Sequence, residues 1–242
     1  VLKEFAKLKL PGKLVNLDPP ESIIAMTIMS GETLEGFFVL GNMSNPDAFT
    51  RSDAKKMMRI REHTISAVFK AKAHQKLEEA ATLDPLTSLN NRRKMIEVLE
   101  GELIRSERTN KPFCIVMCDI DHFKKFNDTH GHDCGDFVLV EISKLIKKSI
   151  RKQDYVGRWG GEEFLMLYPE TEIDGGTIVT EKVRSMIENT VYNFNNIALG
   201  VTATFGVAAY SRGKSIDSVI KEADDALYLG KQQGRNQVVI KE

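Results

Sequence analysis

The chain has 242 residues, 42% hydrophobic and 28% charged, an ordinary globular composition with room for one or two cored domains. Thirty-four basic side chains balance thirty-four acidic ones, which excludes the basic footprint of a nucleic-acid or membrane-surface binder and makes any phosphate chemistry local. No apolar run approaches the roughly 20 residues of a membrane helix, and no signal peptide is visible. Cys114, Cys118 and Cys134 lack metal-type spacing, so the expectation is a cytoplasmic protein with reduced core thiols. Because it opens at Val1, the chain is expected to be a piece of a longer protein.

In chain order, residues 1–49 hold two strand-like runs, ESIIAMTIMS and TLEGFFVLG, and then an Asn/Pro loop. A long helix is predicted over residues 50–83, capped by Thr50 or Ser52, with Asp53 in its first turn and Asp84-Pro85 ending it. Its stripe of Met58, Ile65, Phe69, Ala73 and Leu77 fits packing within its own domain, and equally a parallel dimer helix coupling an upstream sensor to an output. Residues 84–242 alternate. Helices are predicted over NRRKMIEVLEGELIRSER, HFKKFND, FVLVEISKLIKKSIRK, GGTIVTEKVRSMIENT and SIDSVIKEADDALYLGKQQ, and strands at PFCIVMCDI, YVGRW, EFLMLY, VTATFGVAAY and NQVVI. Helices interspersed with an antiparallel hairpin predict the α+β class, one central sheet covered by helices, rather than a doubly wound nucleotide fold.

Three stretches carry candidate chemistry. The apolar strand FCIVMC ends in Asp119, and in RWGGEEFLML the glycine pair reads as a tight hairpin turn at positive φ, with Glu162 and Glu163 at its mouth. If the two meet in the sheet, Asp119 and Glu162 offer hard oxygens to a divalent cation suited to in-line phosphoryl displacement. Glu163 is a second ligand, a base or a solvated turn residue, and Asp121 is read as the N-cap of the following short helix. The stretch NDTHGHDCGD reads as a glycine-rich connection between two helices. In it Asn127 and Asp136 suit the Watson–Crick edge of guanine, whose N1–H and N2–H a carboxylate can accept, or else serve as caps. Lys231 and Arg235, at a helix end, suit phosphates or the helix dipole.

From residue 84 onward the chain resembles a GGDEF domain, the diguanylate cyclase family, through DPLTSLNNRR, DIDHFKKFND, GHDCGD, RWGGEEF, ADDALY and GKQQGRN in order. The resemblance implies a ferredoxin-like core related to polymerase palm domains, and condensation of two GTP into cyclic di-GMP with release of two pyrophosphates. It implies Mg²⁺, or Mn²⁺ in its place, on Asp119, the Ile120 carbonyl and Glu162, with Glu163 as proton acceptor. Asn127, His132 and Asp136 are the implied guanine site, and Lys231 and Arg235 the implied phosphate grip. A homodimer is implied, because each chain supplies one GTP and one 3'-hydroxyl. The run RKQD resembles the family's RxxD product-inhibition site, giving Arg151 and Asp154, with Lys182 and nearby Arg184 in place of a second arginine. The rival reading is an idle GGDEF module that binds GTP or cyclic di-GMP as a receptor. Residues 1–49 resemble part of a GAF domain, and 50–83 a signalling helix.

Overall fold

The computed structural model describes residues 21–30 and 33–241, which form two compact units dividing between Lys76 and Leu77. In the first unit, β1 (Ser22–Ser30) and β2 (Thr33–Asn42) make an antiparallel hairpin at the two apolar runs, followed by helix α1 (Arg51–Thr82), whose residues from Leu77 onward belong to the second unit. The start of α1 is a reciprocal cap. Thr50 N–H donates to Asp53 Oδ2 at 3.0 Å while Asp53 N–H donates to Thr50 Oγ1 at 3.3 Å. The Thr50 hydroxyl, donating to Asp53 Oδ2 at 2.6 Å, and then the Thr50 amide hold the Asp53 carboxyl down at about 2. The expected stripe is kept at Ile65 and displaced by one residue at Met58 and Phe69. Met57 is the buried residue, with Arg61, Ile65 and Val68 half-buried, so Met58 and Phe69 are left 46% and 43% exposed. The side chain of Leu77 and residues 1–20 of the GAF-like reading lie outside what is described.

The second unit contains α2 (Arg92–Thr109), β3 (Phe113–Ile120), α3 (Phe123–His130), α4 (His132–Ser149), β4 (Tyr155–Arg158) and β5 (Glu163–Pro169). It continues with α5 (Ile173–Glu188), β6 (Tyr192–Phe194), β7 (Ile197–Leu199), β8 (Ala203–Ala209), α6 (Ile216–Gln232) and β9 (Val238–Ile240). One mixed sheet runs β4-β5-β3-β8-β9, antiparallel except for the β8–β9 pair. Central β3 is buried along its whole length, which explains why its sequence is continuously apolar rather than alternating. Cys114, Val116, Cys118 and Ile120 point into a core shared with Val138, Ile142 and Val183; Phe113, Ile115 and Met117 point into a second core with Met95, Leu99 and Leu227. Burial raises the thiol pKa of both Cys114 and Cys118, to about 12 for Cys114.

Two local features position the site. At Gly206 of β8 a Cβ would lie 2.0 Å from the Ala223 carbonyl, so α6 lies directly on strand backbone and its last turn reaches the strand ends. Between α3 and α4 only Gly131, at φ 85°, intervenes. The expected loop NDTHGHDCGD is therefore mostly helix, and His132 and Asp136 stand in the opening turns of α4. Gly135 belongs to packing rather than to a turn, because a Cβ there would meet Asn127 Oδ1 at 1.9 Å. The hairpin β6–β7 was not expected; its signal is Asn195-Asn196, at φ 48° and 66°, residues that favour such a turn.

Candidate active site

Asp119 continues the Phe113, Ile115, Met117 face of β3 to the strand end, where it is 8% exposed. In the sheet register its cross-strand partners are Glu163 on β5 and Thr204 on β8. From the last turn of α6, Lys231 Nζ meets Asp119 Oδ2 at 2.8 Å. Burial raises the Asp119 pKa and Lys231 opposes this, while both Glu162 and Glu163 add to the rise. Three carboxylates thus act on one strand end that carries a single lysine, an imbalance that fits a hard cation. Among the described residues no cluster of three His, Cys, Asp or Glu side chains could hold a metal alone, so a backbone carbonyl and phosphate oxygens would have to complete a shell.

The turn itself differs from expectation. Neither Gly160 nor Gly161 is among the residues at positive φ, and four residues, Trp159 to Glu162, join β4 to β5. The loop is closed by Trp159 N–H donating to Glu163 O at 2.8 Å. A Cβ at Gly160 would sit 2.7 Å from Glu163 Oε2, the movable end of a side chain. Arg158, half-buried, fastens the loop by donating from Nε and Nη2 to Gly161 O at 3.0 and 2.8 Å, and from Nη1 to Asp84 Oδ1 at 3.3 Å. Burial would raise the Asp84 pKa, but the Thr87 amide and hydroxyl, with Arg158, outweigh it and lower it. Sequence reasoning missed this tie, since no spacing rule joins residues 84 and 158.

The two glutamates face different ways. Glu163 stands across from Asp119, whereas Glu162, its carbonyl accepting from Ile120 N–H at 3.4 Å, lines a cavity of about 580 Å³ with Asn127, His132 and Asp136. That cavity holds an unsatisfied acceptor: Asn127 Oδ1 is buried without a hydrogen-bond partner. The structure thus brings Asn127, His132, Asp136 and Glu162 together, with Asp119 and Ile120 at the adjoining strand end. Lys231 is committed to Asp119, and Arg235 is exposed just beyond α6.

Asp121 is not a helix cap. His122 holds the N-cap position of α3 without a side-chain bond, and Asp121 instead accepts from the hydroxyls of Thr202 and Thr204 at 2.7 and 2.6 Å. Arg151 and Asp154 line a separate cavity of about 330 Å³ with Lys147 and Lys152. There Asp154 Oδ2 accepts from Arg151 N–H at 2.8 Å, Oδ1 is buried and unpartnered, and burial, opposed by Arg151, raises the carboxyl pKa. Neither Lys182 nor Arg184 lines that cavity. The Arg184 guanidinium is engaged by Glu181, Glu188 and Asn236.

Comparison with known proteins identifies the family. Residues 81–237 match the family model described as "Diguanylate cyclase, GGDEF domain". Diguanylate cyclase DgcP of Pseudomonas aeruginosa is 35% identical over 189 residues, covering 76% of this chain and 28% of that protein. Diguanylate cyclase A of Treponema denticola is 35% identical over 210 residues, covering 85% of this chain and 56% of that protein. The chain therefore spans about a quarter to about half the length of these relatives. Among solved structures, the coiled coil and GGDEF domain of DgcB from Caulobacter crescentus, in complex with c-di-GMP, superposes with a TM-score of 0.71 at 29% identity, covering 76% of this chain and 98% of that one. Diguanylate cyclase SiaD of Pseudomonas aeruginosa, in complex with its activator SiaC, gives 0.66 at 38% identity, covering 78% and 75%. With a family model matched along residues 81–237, on a mixed five-stranded sheet flanked by helices, the chain belongs to the GGDEF-domain diguanylate cyclase family.

Proposed function

We propose that this chain condenses two GTP molecules into cyclic di-GMP and two pyrophosphates, with two copies each presenting one nucleotide to the other. The observation that carries the reading is the junction of two half-sites: an acid cluster around Asp119 adjoins a cavity whose Asn127 Oδ1 is buried and unsatisfied. Asn127, His132 and Asp136 read guanine, the Asp136 carboxylate accepting from N1–H and N2–H, where adenine offers an acceptor instead. Lys231 and Arg235 grip phosphates, Arg235 in a bidentate manner. Asp119, the Ile120 carbonyl and Glu162 would hold Mg²⁺ or Mn²⁺, which when bound neutralises phosphate charge and polarises the reacting oxygens. Glu163 accepts the proton of the attacking 3'-hydroxyl.

The sheet register taken alone would exchange the roles of the two glutamates. Glu163 is opposite Asp119 in the register, but Glu162 raises the Asp119 pKa more than Glu163 does, and the Glu163 carboxylate lies back against Gly160, so Glu162 remains the better placed ligand and Glu163 the base. Nucleotide-free Mn²⁺ titration separates the two, since the ligand's Gln variant loses affinity and the base's does not. Product inhibition at Arg151 and Asp154, a dimer set by α1, a GAF-like upstream segment and a cytoplasmic location complete the proposal.

The test is incubation of purified protein with GTP and Mg²⁺, with product chromatography beside Asp119→Ala. Cyclic di-GMP from the parent chain and none from the variant is expected. GTP binding by confirmed dimers without any dinucleotide would establish the idle receptor module in its place.

A further inference from the structure

The segment after α6 has a costly backbone. Gly234, Arg235 and Asn236 follow one another at φ 118°, 68° and 47°, a left-handed run in which only glycine sits freely and Asn is the most tolerant of the rest. Asn236 is tied on all sides. Its N–H donates to Asp121 Oδ2 and to Thr204 Oγ1, both at 3.0 Å. Its side-chain Oδ1 accepts from Arg184 Nη1, and its Nδ2 donates to Glu188 Oε1, both at 2.7 Å. An amide alone can take a cation on one atom and a carboxylate on the other; aspartate would repel Glu188, and an aliphatic side chain would satisfy neither. Arg184 is itself braced by Glu181 and Glu188, so α5 provides a stiff anchor. The other end of the tie, Asp121, is two residues beyond Asp119 on the same strand end.

We infer that Asn236, clamped by Arg184 and Glu188, is a positioning residue: it holds the left-handed turn that aims Arg235 at the nucleotide, and it locks that turn to the strand end bearing Asp119. Arg184 thereby serves substrate binding. The inference rests on the proposed phosphate grip of Arg235. A side chain two bonds removed from the ligand acts only through the residue it orients, so its effect must disappear when that residue is removed.

GTP binding by the full chain, followed by isothermal titration in the presence of Mg²⁺, tests this in Asn236→Gly, Arg184→Ala, Arg235→Ala and the double variant of residues 235 and 236. Glycine keeps the left-handed backbone and deletes only the clamp. Asn236→Gly is expected to weaken GTP about tenfold, and to have less than about a twofold effect once Arg235 is alanine. Arg184→Ala, whose backbone is helical and unstrained, is expected to weaken GTP in the same direction while leaving inhibition by added cyclic di-GMP unchanged. A full Asn236→Gly effect persisting in the Arg235→Ala background would overturn the inference, as would an Arg184→Ala variant with normal GTP affinity and relieved product inhibition. Equal binding by the parent and Arg235→Ala would instead remove the phosphate grip itself, and the inference with it.

Discussion

Lys231→Met isolates the role of the ion pair at the strand end. Methionine preserves the apolar stem on α6 and removes only the ammonium. At 2.8 Å the pair's gross attraction is about 6 kcal/mol at an effective dielectric of about 20, and about 1.5 kcal/mol in water. The Lys231 side chain is 31% exposed and that of Asp119 12%, so desolvation cancels most of the gross value and leaves about 1–2 kcal/mol. Without the ammonium, Asp119 faces Glu162 and Glu163 uncompensated. The nucleotide-free protein should lose about 1–2 kcal/mol of stability in chelator, measured by urea unfolding. A divalent cation no longer competes with lysine for the carboxylate, so Mg²⁺ or Mn²⁺ alone should bind about 5–30-fold more tightly, while GTP binds more weakly. Calorimetric titration at mildly alkaline pH, where protons compete little at Asp119, reads both. Unchanged or weaker cation binding would refute the reasoning, because it would mean that Lys231 and the metal do not contend for the same oxygens.

Gly135→Ala places a Cβ 1.9 Å from Asn127 Oδ1, the movable end of a side chain, so stability should fall by only about 1 kcal/mol. The same variant should lose GTP affinity about tenfold or more; normal GTP binding would exclude Asn127 from the guanine site. Gly206→Ala meets backbone instead, the Ala223 carbonyl at 2.0 Å and the Leu227 amide at 2.3 Å, which cannot yield separately. It should cost about 3 kcal/mol or more in urea unfolding, and a cost under about 1 kcal/mol would contradict the close seating of α6 on β8. Glu102 on α2 is 7% exposed, and burial raises its pKa above 4.5, with Arg105 opposing and Glu170 adding. The folded state therefore holds its proton more tightly than the unfolded chain, so that contribution is complete below pH 4.5 and is lost as pH rises through the folded value. Glu102→Gln does not titrate, so its stability relative to the parent should climb from acid toward neutral pH; parallel thermal-melt profiles would refute this.

Much of the scaffold was readable because its signals are local. The run FCIVMC is apolar throughout, as a strand covered on both faces must be, and a carboxylate at its end marks where the chain leaves the core. Register is not local. Whether Glu162 or Glu163 stands across from Asp119 depends on a single-residue offset between β3 and β5, and one residue exchanges the two faces. Spacing alone does not tell whether a glycine pair takes up left-handed backbone, and neither Gly160 nor Gly161 does. At Gly160 a side chain would meet only the movable end of Glu163.

Asp121, Lys231 and Arg184 have partners in the structure that no spacing in the sequence names, and for one reason. Each is a charged residue with a generic local role in sequence: a helix cap, a cation at a helix end, a basic residue near an inhibitory motif. A side-chain cap contributes about 1 kcal/mol. A carboxylate that is 7% exposed, as Asp121 is, gains more from three donors on other elements, since hydrogen bonds to charged groups contribute about 1.5–3 kcal/mol each. Arg184 finds Glu181 and Glu188 on its own helix, but the contact that gives it a place in the site is Asn236, fifty-two residues onward. Local chemistry therefore identifies which side chains are charged and near a strand or helix end, and burial then selects the partner that desolvation makes most valuable. At this site that selection falls on the residues that fix the strand end of Asp119 and the turn of Arg235 to one another.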